Sequence, residues 1–402
     1  MLSLVLLTPL AFFSPQEASP VEAKARTTVL HLADGRVLRT RARESDGGWE
    51  VFAGGEWKLV PAEMITRAKS EHDLLQLAAE LEHGLPKDDL VRRVAYADWL
   101  VNEGLQVEAL QQVDRVLARD PDQKDALALL ARAGIPVALP NAPTDAKGIE
   151  AFFVAAAHAD GAVRELAVMR LAKAPEIPGL RAAVANELVA RTPARRSFAA
   201  LVLRRMFPGS EAKSLVSRAV LDASDEVRLN AALALKAFGD ASVIAPAVRA
   251  VASKHPEVRS NAIEALGKMD YREAVQPLYE HLVALQSSSG GTPTHGYIFN
   301  GTQRAYVQDF DVEVAQGQSI ADPIINVLTE GSVLDAAVIE TTEYQYQVAS
   351  ERASVRRALA KLTGANPGDT TVAWQRWWQE HGDEWQAGAS PQKAPTTPAG
   401  QG

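Results

Sequence analysis

The sequence predicts a mainly α-helical chain: an α-solenoid with a small N-terminal β domain and a C-terminal β-hairpin insertion. Three observations predict it. The first is a phrase, made of an apolar or basic residue, an Arg, two variable residues, an Ala, three variable residues and a Leu. It recurs as Val163-Arg164…Ala167…Leu171, Arg195-Arg196…Ala199…Leu203, Val227-Arg228…Ala231…Leu235 and Val258-Arg259…Ala262…Leu266. The second is its period: the four Arg are 32, 32 and 31 residues apart, which means stacked supersecondary units. The third is that hydrophobic periodicity changes from helical to alternating on both sides of the array, at 27–68 and 292–346.

Taken in order, Leu2 to Phe13 is an apolar run followed by Ser14-Pro15-Gln16-Glu17-Ala18. It is too short to span a bilayer and has the form of a secretory leader, 1–18, with cleavage after Ala18. No Lys or Arg precedes the run, and Gln16 stands where a small residue is favoured. An exported protein, periplasmic or secreted, is expected; a leader that is not cleaved gives an anchored or a cytoplasmic one. No transmembrane span is expected after leader removal.

Residues 27–68 alternate. Val29–Leu32, Val37–Arg41, Trp49–Phe52 and Trp57–Val60 read as short strands separated by Asp34-Gly35, Asp46-Gly47-Gly48 and Gly54-Gly55. They predict a small barrel or meander, SH3-like, closed by Pro61–Ile65. Trp49 and Trp57 are expected in its core.

Helices begin near Ser70 and occupy 70–134. Leu90–Arg119 with Asp120-Pro121 resembles a tetratricopeptide repeat. Ala97, Gly104, Ala109 and Pro121 fall at that family's small, turn, small and proline positions, while Arg93 stands where an aromatic is usual. Gly134 to Ala146, with three prolines, reads as a linker.

The array itself is expected over 148–285. Ala at +3 and Leu at +7 from each Arg share a helical face, and Val227, Ala231, Ala234, Leu235 and Phe238 extend the stripe in the third unit. Small Ala residues let a neighbouring helix approach, and each fully buried Leu contributes roughly 1.5–3 kcal/mol. Second helices are predicted at Ile149–Ala157, Leu180–Ala190, Glu211–Leu221, Ile244–Ser253 and Val275–Leu285. Pro193, Pro246, Pro256, Gly239 and Gly267 are read as helix starts and ends.

These residues resemble the HEAT-repeat family in its short form, often described as PBS-lyase-like. The third unit is nearest, with Asp222 as the turn Asp before Val227-Arg228; His158, Ala190 and Ser253 replace that Asp elsewhere. The resemblance implies a protein-binding array. The candidate protein-binding surface is the second-helix face, at Glu165, Met169, Ser197, Leu201, Leu229, Leu233, Ser260 and Glu264.

Beyond the array, Ser287–Gly291 reads as a connector, and Tyr297–Phe299 followed by Asn300-Gly301 signals a hairpin. Strands are predicted at Tyr306–Val314, Ile324–Leu328 and Val333–Thr342. The Asp309, Asp311, Glu313 stripe lacks the loop geometry of a calcium site. Capping helices are expected over 347–385, with Trp374, Trp377 and Trp378 on one side, and a disordered tail over 386–402.

The search for chemistry returns absences. There is no cysteine, hence no disulfide, thiol nucleophile or Cys-ligated zinc. No phosphate loop, nucleophile elbow or His-Glu-x-x-His occurs, and no His is followed by Glu as in HEAT-based iron hydroxylases. Glu280-His281 and Glu380-His381 read as surface pairs. No catalytic residue, cofactor or metal is expected. A net charge of −8 argues against a surface devoted to nucleic acid. One alternative is a HEAT-like nucleic-acid binder of the DNA glycosylase type, which would use Arg191, Arg195, Arg196, Arg204 and Arg205. The reading favoured is a non-enzymatic exported scaffold for protein partners.

Overall fold

A computed structural model describes residues 25–174, 177–287 and 341–386, with the backbone of four strands between the last two segments. The leader, the tail beyond Gln386 and the Ser287–Gly291 connector lie outside the described residues, except that Ser287 is the last residue of a helix. The chain forms two compact units, one of residues 1–139 and 159–169, the other of 140–158 and 170–402.

In the first unit, β1 (Arg26–Leu32), β2 (Val37–Ser45), β3 (Gly48–Ala53), β4 (Glu56–Pro61) and β5 (Ile65–Ser70) form one antiparallel sheet of order β4-β3-β2-β1-β5. The fifth strand was not predicted. Ile65–Ser70 follows a 3-10 turn at Ala62–Met64 and returns to pair with β1, Leu30 opposite Ala68. One sheet face buries Leu30, Leu32, Ala42 and Val51, with Trp49 packed against them. Trp57, expected in that core, is on the other face. It pairs across from Phe52, an odd number of residues from Trp49 along the paired strands, so the pleat sends the two indoles to opposite sides. There its ring meets Phe52 at 5.4 Å and carries the Arg43 guanidinium at 4.4 Å.

Four helices follow: α1 (Glu71–His83), α2 (Leu90–Asn102), α3 (Gln106–Arg119) and α4 (Lys124–Ala133). Sequence reading separates 27–68 from 70–134, but Val29 of β1 packs in one core with Leu74, Tyr96, Leu100, Leu105 and Ala109. Gly104 permits this. Its φ is +76°, and a Cβ there would lie 2.7 Å from Val37 Cγ1, so only glycine lets the α2–α3 turn abut the sheet. Arg93, the residue out of pattern, donates to Gln112 Oε1 at 2.7 Å, and Tyr96 Oη donates to Ala78 O at 2.7 Å. Of the helix α6 (Gly161–Ala172), residues up to Met169 cluster with this unit. Ala162, Leu166 and Met169 pack with Val113, Leu129 and their neighbours, although the phrase assigns them to the array.

The second unit is a two-layer array. Its first layer holds α5 (Ala146–Ala156), α7 (Leu180–Glu187), α9 (Ala212–Leu221), α11 (Ala245–Ala250) and α13 (Val275–Ser287). The second holds the phrase helices α8 (Pro193–Met206), α10 (Asp225–Lys236) and α12 (Pro256–Met269). Each phrase helix packs on a first-layer helix and on its second-layer neighbours, so α10 touches α8, α9 and α12. The phrase Ala and Leu residues are all buried. Pro193 and Pro256 stand in the first turns of α8 and α12. Gly267 does not end a helix. It lies within α12, where a Cβ would come 3.1 Å from Ala358 Cβ, so its role is close approach.

The insertion differs from the predicted hairpin. Asn300-Gly301 is no turn: β6 (Gly296–Gly301) runs through it and pairs with β9 (Val333–Val338), Asn300 opposite Leu334. The hairpin is β7 (Ala305–Ala315) with β8 (Gln318–Val327), nested between those strands in sequence. Thr341 and Thr342, predicted as strand, open α14 (Thr341–Thr363). α14 packs on α12 and α13, and α15 (Thr371–Trp385) packs on α13. The array is therefore continuous across the insertion, with α14 standing where a further phrase helix would stand. Trp374 is buried and Trp378 stacks on Tyr279 at 4.2 Å.

Candidate functional site

The phrase Arg has a repeated local task. Arg196 Nη1 donates to Ala190 O at 2.9 Å, Arg228 Nη1 to Asp222 O at 2.9 Å and Arg259 Nη1 to Ser253 O at 3.0 Å. Each guanidinium thus folds back to a carbonyl that follows the preceding first-layer helix, where unpaired carbonyls and the helix dipole favour a cation.

The remaining donors join repeats. Arg196 Nε and Nη2 grip Asp222 of the next unit at 2.7 and 2.8 Å, and Arg218 Nη1 adds a bond of 3.2 Å to the same carboxylate. Burial pushes the Asp222 carboxyl up, but the hydrogen bonds from Arg196, the Ser224 backbone and Arg218 outweigh it, leaving it below the usual value. The turn Asp is thus an inter-repeat clasp. In the fourth unit Arg259 finds the same chemistry on α14, with Nε and Nη2 each 3.0 Å from the Glu351 carboxylate. His281 Nε2 lies 2.7 Å from Glu351 Oε1. His281, read from sequence as a surface residue, is a half-buried member of this clasp because α14 partly covers it.

The candidate binding face does not emerge as one surface. Glu165 and Met169 belong to the first unit and the other six residues to the second. Glu165, Ser197, Leu201 and Leu233 are buried, Met169 and Leu229 are half-buried, and only Ser260 and Glu264 are exposed. The reason lies in the layer. With second-layer neighbours on both sides, a phrase helix buries far more than one stripe, and Leu233 of α10 retains only 8% exposure. Most of the basic cluster is likewise absorbed, although Arg191 stays exposed. Arg195 is held by Glu187 at 2.6 Å and by Glu150 at 3.3 Å, Arg196 by Asp222, and Arg204 is buried.

The exposed apolar surface lies instead between first-layer helices. A groove of about 580 Å³ runs between α9 and the segment 242–250, floored by Val216, Val220, Val243 and Val258. Leu221 at its edge is 63% exposed. Lys213 and Arg249 stand at the rim, exposed and without an ion pair among the described residues, and no carboxylate lines the groove. A second, polar cavity of about 470 Å³ opens between α12 and α14, and Ser260 and Glu264 line it. Among the described residues no three His, Asp or Glu side chains converge to hold a metal ion, and no helix is long and apolar enough to cross a membrane.

Neither a curated protein nor a solved structure matches the chain. The family model for HEAT repeats matches residues 212–286, the span from α9 through α13. Across those residues, which hold the groove and Asp222, the helices are similar to HEAT repeats.

Proposed function

We propose that the chain is a non-enzymatic, exported scaffold whose HEAT repeats bind protein partners. The observation that carries this reading is the groove beside α9. It has an apolar floor and open sides, in the size range of ligand sites, and lies within the repeats that match the family. HEAT repeats commonly mediate protein contacts, and the two unpaired rim cations, with no carboxylate opposing them, favour an apolar segment flanked by Asp or Glu. The ion pairing of Arg195 and Arg196 supports a protein partner over nucleic acid, since a phosphate-binding surface needs uncommitted cations. The SH3-like reading of the N-terminal sheet draws support from its four-strand meander, to which β5 returns to pair with β1.

Selection of displayed peptides on the full-length chain tests the docking reading. Peptides with apolar anchors and flanking acidic residues should emerge, and Leu221→Glu should weaken their binding about tenfold or more, as expected for a centrally placed contact. Selected peptides that lack acidic residues, or that bind Leu221→Glu unchanged, would refute it. Export is tested by N-terminal sequencing of the mature protein from its native host: a chain starting near Ser19 supports it and an intact Met1 opposes it.

A further inference from the structure

The polar cavity between α12 and α14 has a different chemistry from the groove. At its floor the two helices are separated only by Gly267 and Ala358. On α14, Ser350, Ser354, Arg357 and Lys361 fall at i, i+4, i+7 and i+11, so one face of the helix carries two hydroxyls and two cations. On α12, Ser260, Glu264 and Lys268 face them at i, i+4 and i+8.

The cations there are uncommitted. Most arginines of the array are held by carboxylates or carbonyls, but Lys268 and Lys361 have no ion pair among the described residues, and Arg357 donates only to Ser354 Oγ, at 2.9 Å. Glu264 is the only carboxylate among the lining residues. Partial desolvation and the like charge of Lys268 hold the Lys361 ammonium below the usual lysine value, with Asp270 opposing and Lys236 adding to the effect. Three cations that share one lining carboxylate, Glu264, keep an excess of positive charge and are stabilised by any further anion that enters.

We infer that the α12–α14 cavity is a binding site for a phosphoryl-bearing anion, held by Arg357, Lys268 and Lys361 with hydroxyl donors from Ser260, Ser350 and Ser354. An arginine fork with point-charge lysines and rotatable hydroxyls matches the oxygens of a phosphate group. The volume of about 470 Å³ leaves room for the organic part of an ester beside the phosphate. The site sits in the array but is independent of the groove beside α9, so neither proposal depends on the other.

Calorimetric titration of the full-length chain with inorganic pyrophosphate at pH 7 and low salt tests the site, with glucose 6-phosphate and citrate as parallel titrants. Saturable 1:1 binding of pyrophosphate is expected, with Arg357→Gln and Lys361→Gln each weakening it about tenfold, the cost of one charge-assisted contact. Glu264→Gln should tighten it roughly threefold by removing the opposing charge. That gain is a readout no unfolded variant can mimic. Glucose 6-phosphate binding more tightly than pyrophosphate would assign the site to esters, and the reverse to the free ion. Absent saturation, binding indifferent to all three substitutions, or citrate binding as tightly as pyrophosphate would overturn the assignment.

Discussion

Asp222 shows how one carboxylate can hold two repeats. Arg196 grips it from the previous unit, Arg218 from its own, and its backbone carbonyl accepts from Arg228. Removing it strands two partly buried guanidiniums, so Asp222→Ala should cost about 3 kcal/mol in urea unfolding; a loss under 1 kcal/mol would mean that the clasp contributes little. Leu235 is fully buried, and Leu235→Ala should cost about 2–5 kcal/mol as a core truncation. Leu233 gives a sharper contrast. Read as a surface residue it would tolerate Glu, but at 8% exposure Leu233→Glu buries a charge, and a melting temperature lowered by several degrees is expected. An unchanged melt would return Leu233 to the surface.

At the scale of elements, α14 is the informative case. Its sequence begins a phrase with Val355-Arg356, but Leu359 stands at the Ala position and Thr363 at the Leu position, and the β insertion breaks the period. Only packing on α12 and α13 identifies it as a member of the array. Glu351 ties it there. Burial pushes this carboxyl up, and the bonds from His281 and Arg259 outweigh that, leaving it below the ordinary glutamate value of 4.5. Glu351 therefore contributes stability that is present in full above pH 4.5 and is lost as pH falls through its lower folded value. Protection of the α14 amides, taken against the intrinsic exchange rate at each pH, should fall over that acid range in the native chain, and Glu351→Gln should remove that fall. Protection that stays flat with pH would rule out the carboxylate as the tie.

For the whole molecule, an array of nearest-neighbour contacts makes its last members responsible for covering the ones before. Ending the chain after Ser287 uncovers the faces of α12 and α13 that α14 and α15 bury. Exchange protection should then fall in α12 and α13, while α2 to α4, in the other compact unit, keep theirs. A uniform loss across both units would show that the two do not unfold separately.

The sequence by itself determined the repeat, its phase and its helices, because a helical stripe of Ala and Leu with one Arg per period has a single way to bury itself: Ala167, Ala199, Ala231, Ala262 and their Leu partners are all interior. It also determined the first four strands of the N-terminal sheet, whose alternation and glycine turns are local signals, but not the fifth, Ile65–Ser70. Tertiary structure decided the rest. Whether Leu233 or Ser260 meets solvent depends on how many neighbours flank a helix, which no single stripe encodes. Whether Gly267 ends a helix or admits another depends on α14, which lies far along the chain. The groove beside α9 and the polar cavity beside Gly267 are made by surfaces that fail to meet, and a sequence records the faces of its helices without recording the gaps between them.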